Sequence, residues 1–334
     1  MAIDIVILWV DGNDPEWQTE RKKYQPEKTQ DAGITRYRDL ETLQYLFRGI
    51  EKYAPWVRKV HLVTCGHYPK WINKKHPKLH LVKHSDFIPE EYLPTFSSRA
   101  IDTNLHRIPG LAEKFIYFND DMFIINSIKP TNFFKHGLPC DIFSERAICA
   151  HGNETVSYGY TLISDIEIIE RHFKRHEVLK KQWRKILNLK YGKLFIYNLL
   201  MYILPYKHFF GFYINHLPTG RLKRTYREVW AVEEKTLTKT ASHKFRDGTD
   251  VNEFLFRFWA QVKGDFYPAN TDKLGRVYHL HDNASETFET IKKQKYQVIC
   301  INDAGCSDKQ FDILKAKLIE SFEIIFPEKS LYEL

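Results

Sequence analysis

Through residues 1–125, short apolar runs alternate with stretches of helical periodicity. Ile3 to Val10 is a nearly continuous β-branched run, the pattern of a strand buried on both faces of a parallel sheet. Leu40, Leu43, Phe47 and Ile50 then recur at helical spacing, and Ala54-Pro55 ends that helix. Lys59 to Thr64 and Leu79 to His84 read as two further strands. After a Pro-marked loop, Ser98 to Arg107 reads as a short helix with Ser97 or Ser98 as its N-cap. Lys114 to Phe118 is another strand, and it runs straight into Asn119-Asp120-Asp121. Strands separated by helices predict an α/β fold with a mainly parallel, doubly wound sheet. In such sheets ligands bind beyond the carboxyl ends of the strands, which is where Asp11 and the Asp120-Asp121 pair fall.

The middle of the chain breaks this pattern. From Arg171 to Lys193 there are nine Lys and Arg residues against a single acid, Glu177. Leu194 to Ile214 is then rich in Leu, Ile, Tyr and Phe, but Pro205, Lys207 and His208 interrupt it before it reaches the roughly 20 residues of a spanning helix. Two readings stand: a basic helical insertion that packs an apolar hairpin on the core, or an interfacial element on an anionic membrane. The expected organisation is residues 1–150 as the first part of a catalytic core, 151–214 as the insertion, and 215–334 as the part that completes the core.

Composition changes the picture little. Of 334 residues, 43% are hydrophobic and 28% charged, which excludes a disordered chain, and the net charge of +8 suits an anionic partner without naming it. The five cysteines form no CxxC pair, and reduced thiols in a cytoplasm are the simplest expectation. Asp4 inside the first apolar run, without a basic leader, does not read as a signal peptide.

Asn119-Asp120-Asp121 is the strongest local signal, because adjacent carboxylates after an apolar strand are costly unless solvated or bound to something positive. A Mg²⁺ or Mn²⁺ ion bridging a diphosphate needs one or two such oxygens. Asp11-Gly12-Asn13-Asp14-Pro15 also follows a strand, and reads equally as a turn that starts a helix. His216, Arg246 and the strand-end pair Asn302-Asp303 are single features: a lone His is more often structural than catalytic, a lone Arg usually sits on a solvated face, and one more strand-end Asp does not by itself mark a site. His279-Leu280-His281-Asp282 offers metal ligands, or merely alternate residues on a strand edge.

Together these pieces resemble the Stealth family of sugar-1-phosphate transferases, which includes bacterial capsule and exopolysaccharide phosphotransferases. The family also includes the catalytic subunit of the animal enzyme that phosphorylates lysosomal glycoproteins. The likeness runs through Ile3 to Pro15 and Arg36-Tyr37-Arg38-Asp39, then through Ile50 to Lys59 and Leu93 to Ser98. It continues through Leu105-His106-Arg107 to Leu111 and Tyr117 to Phe123, and returns at His216-Leu217-Pro218, at His243 to Arg246 and on to Phe256. Ile299 to Asp303 and Phe326-Pro327 complete it.

The resemblance implies a Rossmann-like, nucleotide-sugar-transferase-type core, a UDP-sugar donor and a divalent metal, Mg²⁺ or Mn²⁺. It places catalytic groups at Asp102, Asp121, His216 and Arg246, metal ligands at Asp120 and Asp303, and donor contacts at Asp11, Gly12, Arg107, Asn119 and Asn302. At Asp102 the family usually carries Glu, so a carboxylate is kept with shorter reach.

The implied reaction moves a hexose-1-phosphate, such as GlcNAc-1-phosphate, onto a hydroxyl of a glycan or lipid-linked glycan and releases UMP. The base is Asp121 or His216. The implied setting is capsule or exopolysaccharide synthesis in a bacterial cytoplasm, peripheral to the inner face of the membrane. A metal-dependent glycosyltransferase would instead attack the sugar carbon and release UDP. A nucleic-acid-binding protein would explain the charge but not the acids at strand ends.

Overall fold

A computed structural model describes residues 2–25, 39–148, 156–302 and 307–334. The chain begins with β1 (Ile3–Leu8), α1 (Pro15–Tyr24), α2 (Leu43–Tyr53), β2 (Val60–Thr64) and β3 (Leu79–Lys83). It continues through α3 (Ser98–Asn104), β4 (Lys114–Asn119), β5 (Met122–Ile124), α4 (Pro130–Phe133), β6 (Phe134–Lys135) and β7 (Leu138–Asp141). Three helices follow, α5 (Val156–His172), α6 (Arg175–Ile186) and α7 (Lys193–Ile203), and then β8 (Thr219–Leu222), α8 (Lys223–Ser242) and α9 (Glu253–Lys263). The last elements are β9 (Tyr267–Pro268), β10 (Gly275–His279), α10 (Leu280–Lys292), β11 (Val298–Asn302) and α11 (Asp308–Ile325).

The central sheet has the order β3-β2-β1-β4-β8, with β8 antiparallel to an otherwise parallel set. This is a Rossmann-like α/β arrangement. Along β1, Ile3, Ile5 and Ile7 join one buried cluster, with Leu46 and Phe47 of α2 and Leu318 and Phe322 of α11. Val6 points the other way, into a cluster with Ile101, Ile169, Tyr226, Val229 and Phe258. Period-two alternation with apolar residues on both faces is why the run looked unbroken in sequence. Asp4 is the exception. It is fully buried and accepts hydrogen bonds from Arg58 (2.8 Å) and from the Ala112 backbone N–H (2.7 Å), with His61 Nε2 3.0 Å away. Burial alone would raise its carboxyl, but the partners His61, Arg58 and Ala112 prevail and hold it at about 2. Its role is structural.

The second sheet, β10-β11-β5, joins the two ends of the chain, because β5 leaves β4 through the Asp120-Asp121 turn and pairs antiparallel with β11. A third, smaller sheet has the order β6-β7-β9. The helix expected over Ser98 to Arg107 ends at Asn104 and tightens into a 3₁₀ turn, and Ser97 occupies the cap position without a capping hydrogen bond.

Two expectations need correction. His279 ends β10 and Leu280 opens α10, so His279 and His281 do not alternate along a strand edge. The apolar stretch after Lys193 is not a hairpin; it is the helix α7 followed by a chain that runs to β8 without a strand. In the segment before it, Leu162, Ile168, Ile169, Val178, Leu179 and Ile186 share a buried cluster with the central sheet. No described helix is long and apolar enough to cross a membrane.

Candidate functional site

The strand order places a topological switch between β1 and β4, since the chain builds β2 and β3 on one side of β1 and then crosses to the other. A cleft must open at the carboxyl ends of those two strands. A cavity of about 650 Å³ lies there, lined by Leu8, Trp9 and Val10 beyond β1 and by Asn119, Asp120 and Asp121 beyond β4. Asn302 at the end of β11, His216 before β8, Arg246 after α8 and Asp102 on α3 line the same cavity. Residues as far apart in sequence as Leu8 and Asn302 therefore meet because the two parallel strands and β11 all end on one side.

The carboxylates are under strain from one another. Asp120 is exposed to the cleft, yet desolvation by the surrounding walls, then the charges of Asp121 and Asp39, raises its carboxyl above the usual carboxylate range. Asp121 Oδ2 lies 3.5 Å from His216 Nε2 and accepts a hydrogen bond from the Cys300 thiol at 3.3 Å. Its other oxygen, Oδ1, is buried without a partner among the described residues. Burial disfavours the imidazolium of His216, yet the Asp121 hydrogen bond and charge outweigh it and raise the His216 pKa. Ligand atoms of Asp121, His216 and Cys300 lie within 4.8 Å of one another. Burial and Asp121 hold the Cys300 thiol protonated, which disfavours it as a ligand for a hard cation. The orphaned Asp121 oxygen and the uncompensated Asp120 carboxyl do fit one.

Arg246 faces these acids from a braced loop. His243 Nδ1 lies 2.6 Å from Asp250 Oδ1, and Asp250 Oδ2 accepts the Asp247 N–H at 2.8 Å. Arg99 donates to the Asp247 carbonyl at 2.7 Å, and Phe96 N–H to the Lys244 carbonyl at 2.8 Å. His243, Asp247 and Asp250 could also surround an ion, but these bonds already account for them as a lock on the loop. Arg246 Nη2 donates to Ser98 Oγ at 2.9 Å, and among the described residues no carboxylate forms an ion pair with it.

Asp102 lines the same cavity as Arg246, is buried, and accepts from the Tyr117 hydroxyl at 2.8 Å. Burial and then Glu253 raise its carboxyl to about 8, against the lowering effects of Tyr117, Arg246 and Arg221. Glu253 in turn pairs with Arg221. The folded chain thus holds a proton on Asp102 that the unfolded chain releases near 4, so this residue makes stability fall as pH rises through that window up to about 8. Asp102→Asn should flatten that slope and raise stability at pH 7, with a ceiling of about 4 kcal/mol. Thermal midpoints of both proteins between pH 5 and pH 8 measure this, and parallel curves would refute it.

Two conserved regions of one family match the chain: Stealth protein conserved region 1 over residues 1–29 and conserved region 2 over residues 36–140. The chain is 37% identical to the capsular polysaccharide phosphotransferase WcwK of Streptococcus pneumoniae over 99% of its own length and 98% of that protein's. It belongs to the Stealth family. Other Stealth relatives are the receptor polysaccharide phosphotransferase WefC of Streptococcus oralis and the exopolysaccharide phosphotransferase cps2G of Lactiplantibacillus plantarum. WefC is 36% identical, covering 99% of each chain, and cps2G is 34% identical, covering 99% of this chain and 96% of that one. Like them, this Stealth protein is an enzyme of the phosphotransferase class. Among solved structures, the galactosyltransferase LgtC with donor and acceptor sugar analogues aligns at a TM-score of 0.40 and 11% identity, covering 94% of this chain and 96% of that one. So distant a likeness carries no functional weight.

Stealth region 2 contains Asp102 and Asn119 to Asp121, whereas His216 and Arg246 lie beyond both matched regions and are tied to the site by the fold. Asp11 and Gly12 sit beside the cavity rather than in its lining. The Asp11 N–H donates to His67 Nε2 at 2.8 Å, and its carboxylate caps the Asn13 N–H at 2.9 Å. Arg107 is elsewhere, because the 3₁₀ turn after α3 carries it onto Trp230, with its guanidinium 4.6 Å from the ring centroid. Asp303 lies outside the described residues, as do Arg36, Tyr37 and Arg38.

Sequence reading missed Glu253, Tyr117, Ser98 and Cys300 as residues of this neighbourhood. Cys300 was detectable in principle, since it is two positions before Asn302 on one strand and therefore on the same face. Glu253 gave no such signal; it looks like any acid in the first turn of a helix capped by Asn252.

Proposed function

We propose that the enzyme transfers a hexose-1-phosphate, such as GlcNAc-1-phosphate, from a UDP-sugar to a hydroxyl of a glycan or lipid-linked glycan, and releases UMP. The observation that carries this reading is the pairing of an acidic pocket with a cationic wall. Asp120 and Asp121 supply the acids, with His216 beside Asp121, and the cation is Arg246, which forms no ion pair with a carboxylate among the described residues.

Asp120 and Asp121 would hold a divalent cation, Mg²⁺ or Mn²⁺, with Asp303 as a further ligand. When bound, that ion neutralises the donor's diphosphate and the leaving UMP. The acceptor oxygen attacks the sugar-side phosphorus, a new P–O bond forms, and the bond from that phosphorus to the oxygen of UMP breaks. His216 takes the acceptor proton, oriented by Asp121, whose charge stabilises the imidazolium that results. Arg246 is held by one nitrogen on Ser98, which leaves the rest of its fork for the phosphoryl oxygens. Asp102, neutral because it is buried, adds no negative charge beside that phosphoryl group. Trp9, Trp17 and Phe96 form an aromatic wall for the nucleoside, with Asp11 and Gly12 close to it and Asn119 and Asn302 nearer the diphosphate.

Residues 1–150 and 215–334 make one catalytic core in this reading, with 151–214 inserted between them. A lipid-linked acceptor would also place the enzyme at an anionic membrane surface in the cytoplasm.

EDTA should abolish turnover, and Mg²⁺ or Mn²⁺ should restore it. Because the Asp120 carboxyl is raised, proton and metal compete for it. Metal affinity should therefore rise with pH, and calorimetry in buffers of differing ionisation heat should show proton release at pH 7. Full turnover after exhaustive EDTA dialysis would refute the metal's role. The reaction itself is tested with a donor labelled at its sugar-side phosphorus: the label should appear in the product as an acid-labile phosphodiester.

A further inference from the structure

Helix α7 is amphipathic the wrong way round for a globular protein. Ile196, Leu199, Leu200 and Ile203 follow the i, i+3, i+4, i+7 spacing of one helical face, and they are 63%, 41%, 57% and 68% exposed. The side turned to the protein is anchored by polar groups. Asn198, buried, donates to the carbonyls of Phe143 (2.8 Å) and Ile186 (2.9 Å). Arg175, also buried, receives its countercharge from Glu145 and donates to the carbonyls of Met201 (2.5 Å), Leu204 (3.3 Å) and Tyr206 (2.9 Å), which fixes the carboxyl end of the helix. With both contacts made, α7 cannot roll its apolar face inward without stranding a buried charge. Leu189 and Leu204, 78% and 44% exposed, extend the same apolar surface at either end. Large apolar side chains exposed together on one helical face mark a contact surface rather than a chance exposure.

Charge identifies the partner. Residues 178–227 contain eleven Lys and Arg and no Asp or Glu. Lys190, Lys193 and Lys207 flank α7, are exposed, and form no salt bridge with a described residue. A second copy docked through the same face would bring these lysines against each other. An anionic bilayer would neutralise them while receiving the leucines and isoleucines. At about 1.5 Å per residue, the eleven residues of α7 span about half of a hydrocarbon core, so the helix can lie on a bilayer but not cross it.

We propose that α7 is a membrane-surface anchor. It lies flat on an anionic lipid bilayer, with Ile196, Leu199, Leu200 and Ile203 at the acyl boundary and Lys190, Lys193 and Lys207 among the phosphates. The basic residues do not all serve this surface. Lys185 donates to the carbonyls of Gly264 (2.5 Å) and Phe266 (2.9 Å) and is a strut inside the fold.

The test is co-sedimentation of the full chain with vesicles of phosphatidylcholine alone or with added phosphatidylglycerol. Three proteins are compared: the parent, Ile196→Ser/Leu200→Ser, and Lys193→Gln/Lys207→Gln. The parent should bind the anionic vesicles and not the neutral ones, and each variant should lose about tenfold or more in affinity with unchanged thermal midpoints. Salt should weaken the parent and the serine variant more steeply than the glutamine variant. Equal binding by parent and variants, or none by the parent, overturns the proposal. So does a parent dimer, seen by sedimentation equilibrium, that the serine variant dissociates, because the face would then be a self-interface. None of these outcomes bears on which nucleotide the enzyme releases, so the anchor and the proposed reaction stand or fall separately.

Discussion

Asp121→Asn should lower kcat by about a thousandfold while leaving the protein folded and no less stable. The loss has two sources at one side chain. One oxygen orients His216 and favours its protonated form, and the other, buried without a partner, completes the acidic pocket. Stability should hold or rise because the substitution removes a charge that disfavours the ionised form of the neighbouring Asp120. The His216 pKa should fall, since burial would then act without the opposing carboxylate, and NMR titration of the imidazole reads this apart from activity. A variant that keeps more than about a tenth of the parent's kcat would show that neither oxygen matters to the reaction.

Arg246→Lys should lower kcat/KM by about a hundredfold, although the positive charge is kept. Arg246 spends one nitrogen on Ser98, and the brace through His243, Asp247, Asp250 and Arg99 sets the loop that aims the rest. A lysine offers a point charge that cannot hold Ser98 and two phosphoryl oxygens together. The loss should fall mainly on kcat, because negative charge builds on those oxygens as the bonds exchange. Near-parental kcat with a raised KM would instead mean that the residue only attracts the donor.

How far the sequence could be read depended on whether the deciding interaction was local. The strands at Ile3, Val60, Leu79 and Lys114 were legible because alternation and flanking turns sit within a few residues of each. The Asn119-Asp120-Asp121 turn was legible because a carboxylate pair directly after an apolar strand is costly wherever it occurs. Arg107 misled, since its neighbours belong to a matching block, yet a single 3₁₀ turn sends it to Trp230. The convergence of His216 and Arg246 on that turn came only from the family resemblance, because nothing near either residue announces it; the crossing of β1 and β4 supplies the physical reason. Helix α7 was ambiguous for a similar reason. An apolar run looks the same facing in or out, and here Arg175 and Asn198, reaching carbonyls as far away as Phe143, decide the matter. Lys185 likewise belonged to a basic run by composition and to the core by its bonds to the carbonyls of Gly264 and Phe266.

The central claim is that the bond broken lies at phosphorus, not at the sugar carbon. The most direct measurement is the identity of the nucleotide released when the enzyme, Mg²⁺ or Mn²⁺, a panel of UDP-sugars and a glycan acceptor are incubated and resolved by anion exchange. The account predicts UMP, in one-to-one proportion with a product that retains the donor's phosphorus. Accumulation of UDP with a phosphate-free product would contradict it, and would make the cavity that of a metal-dependent glycosyltransferase.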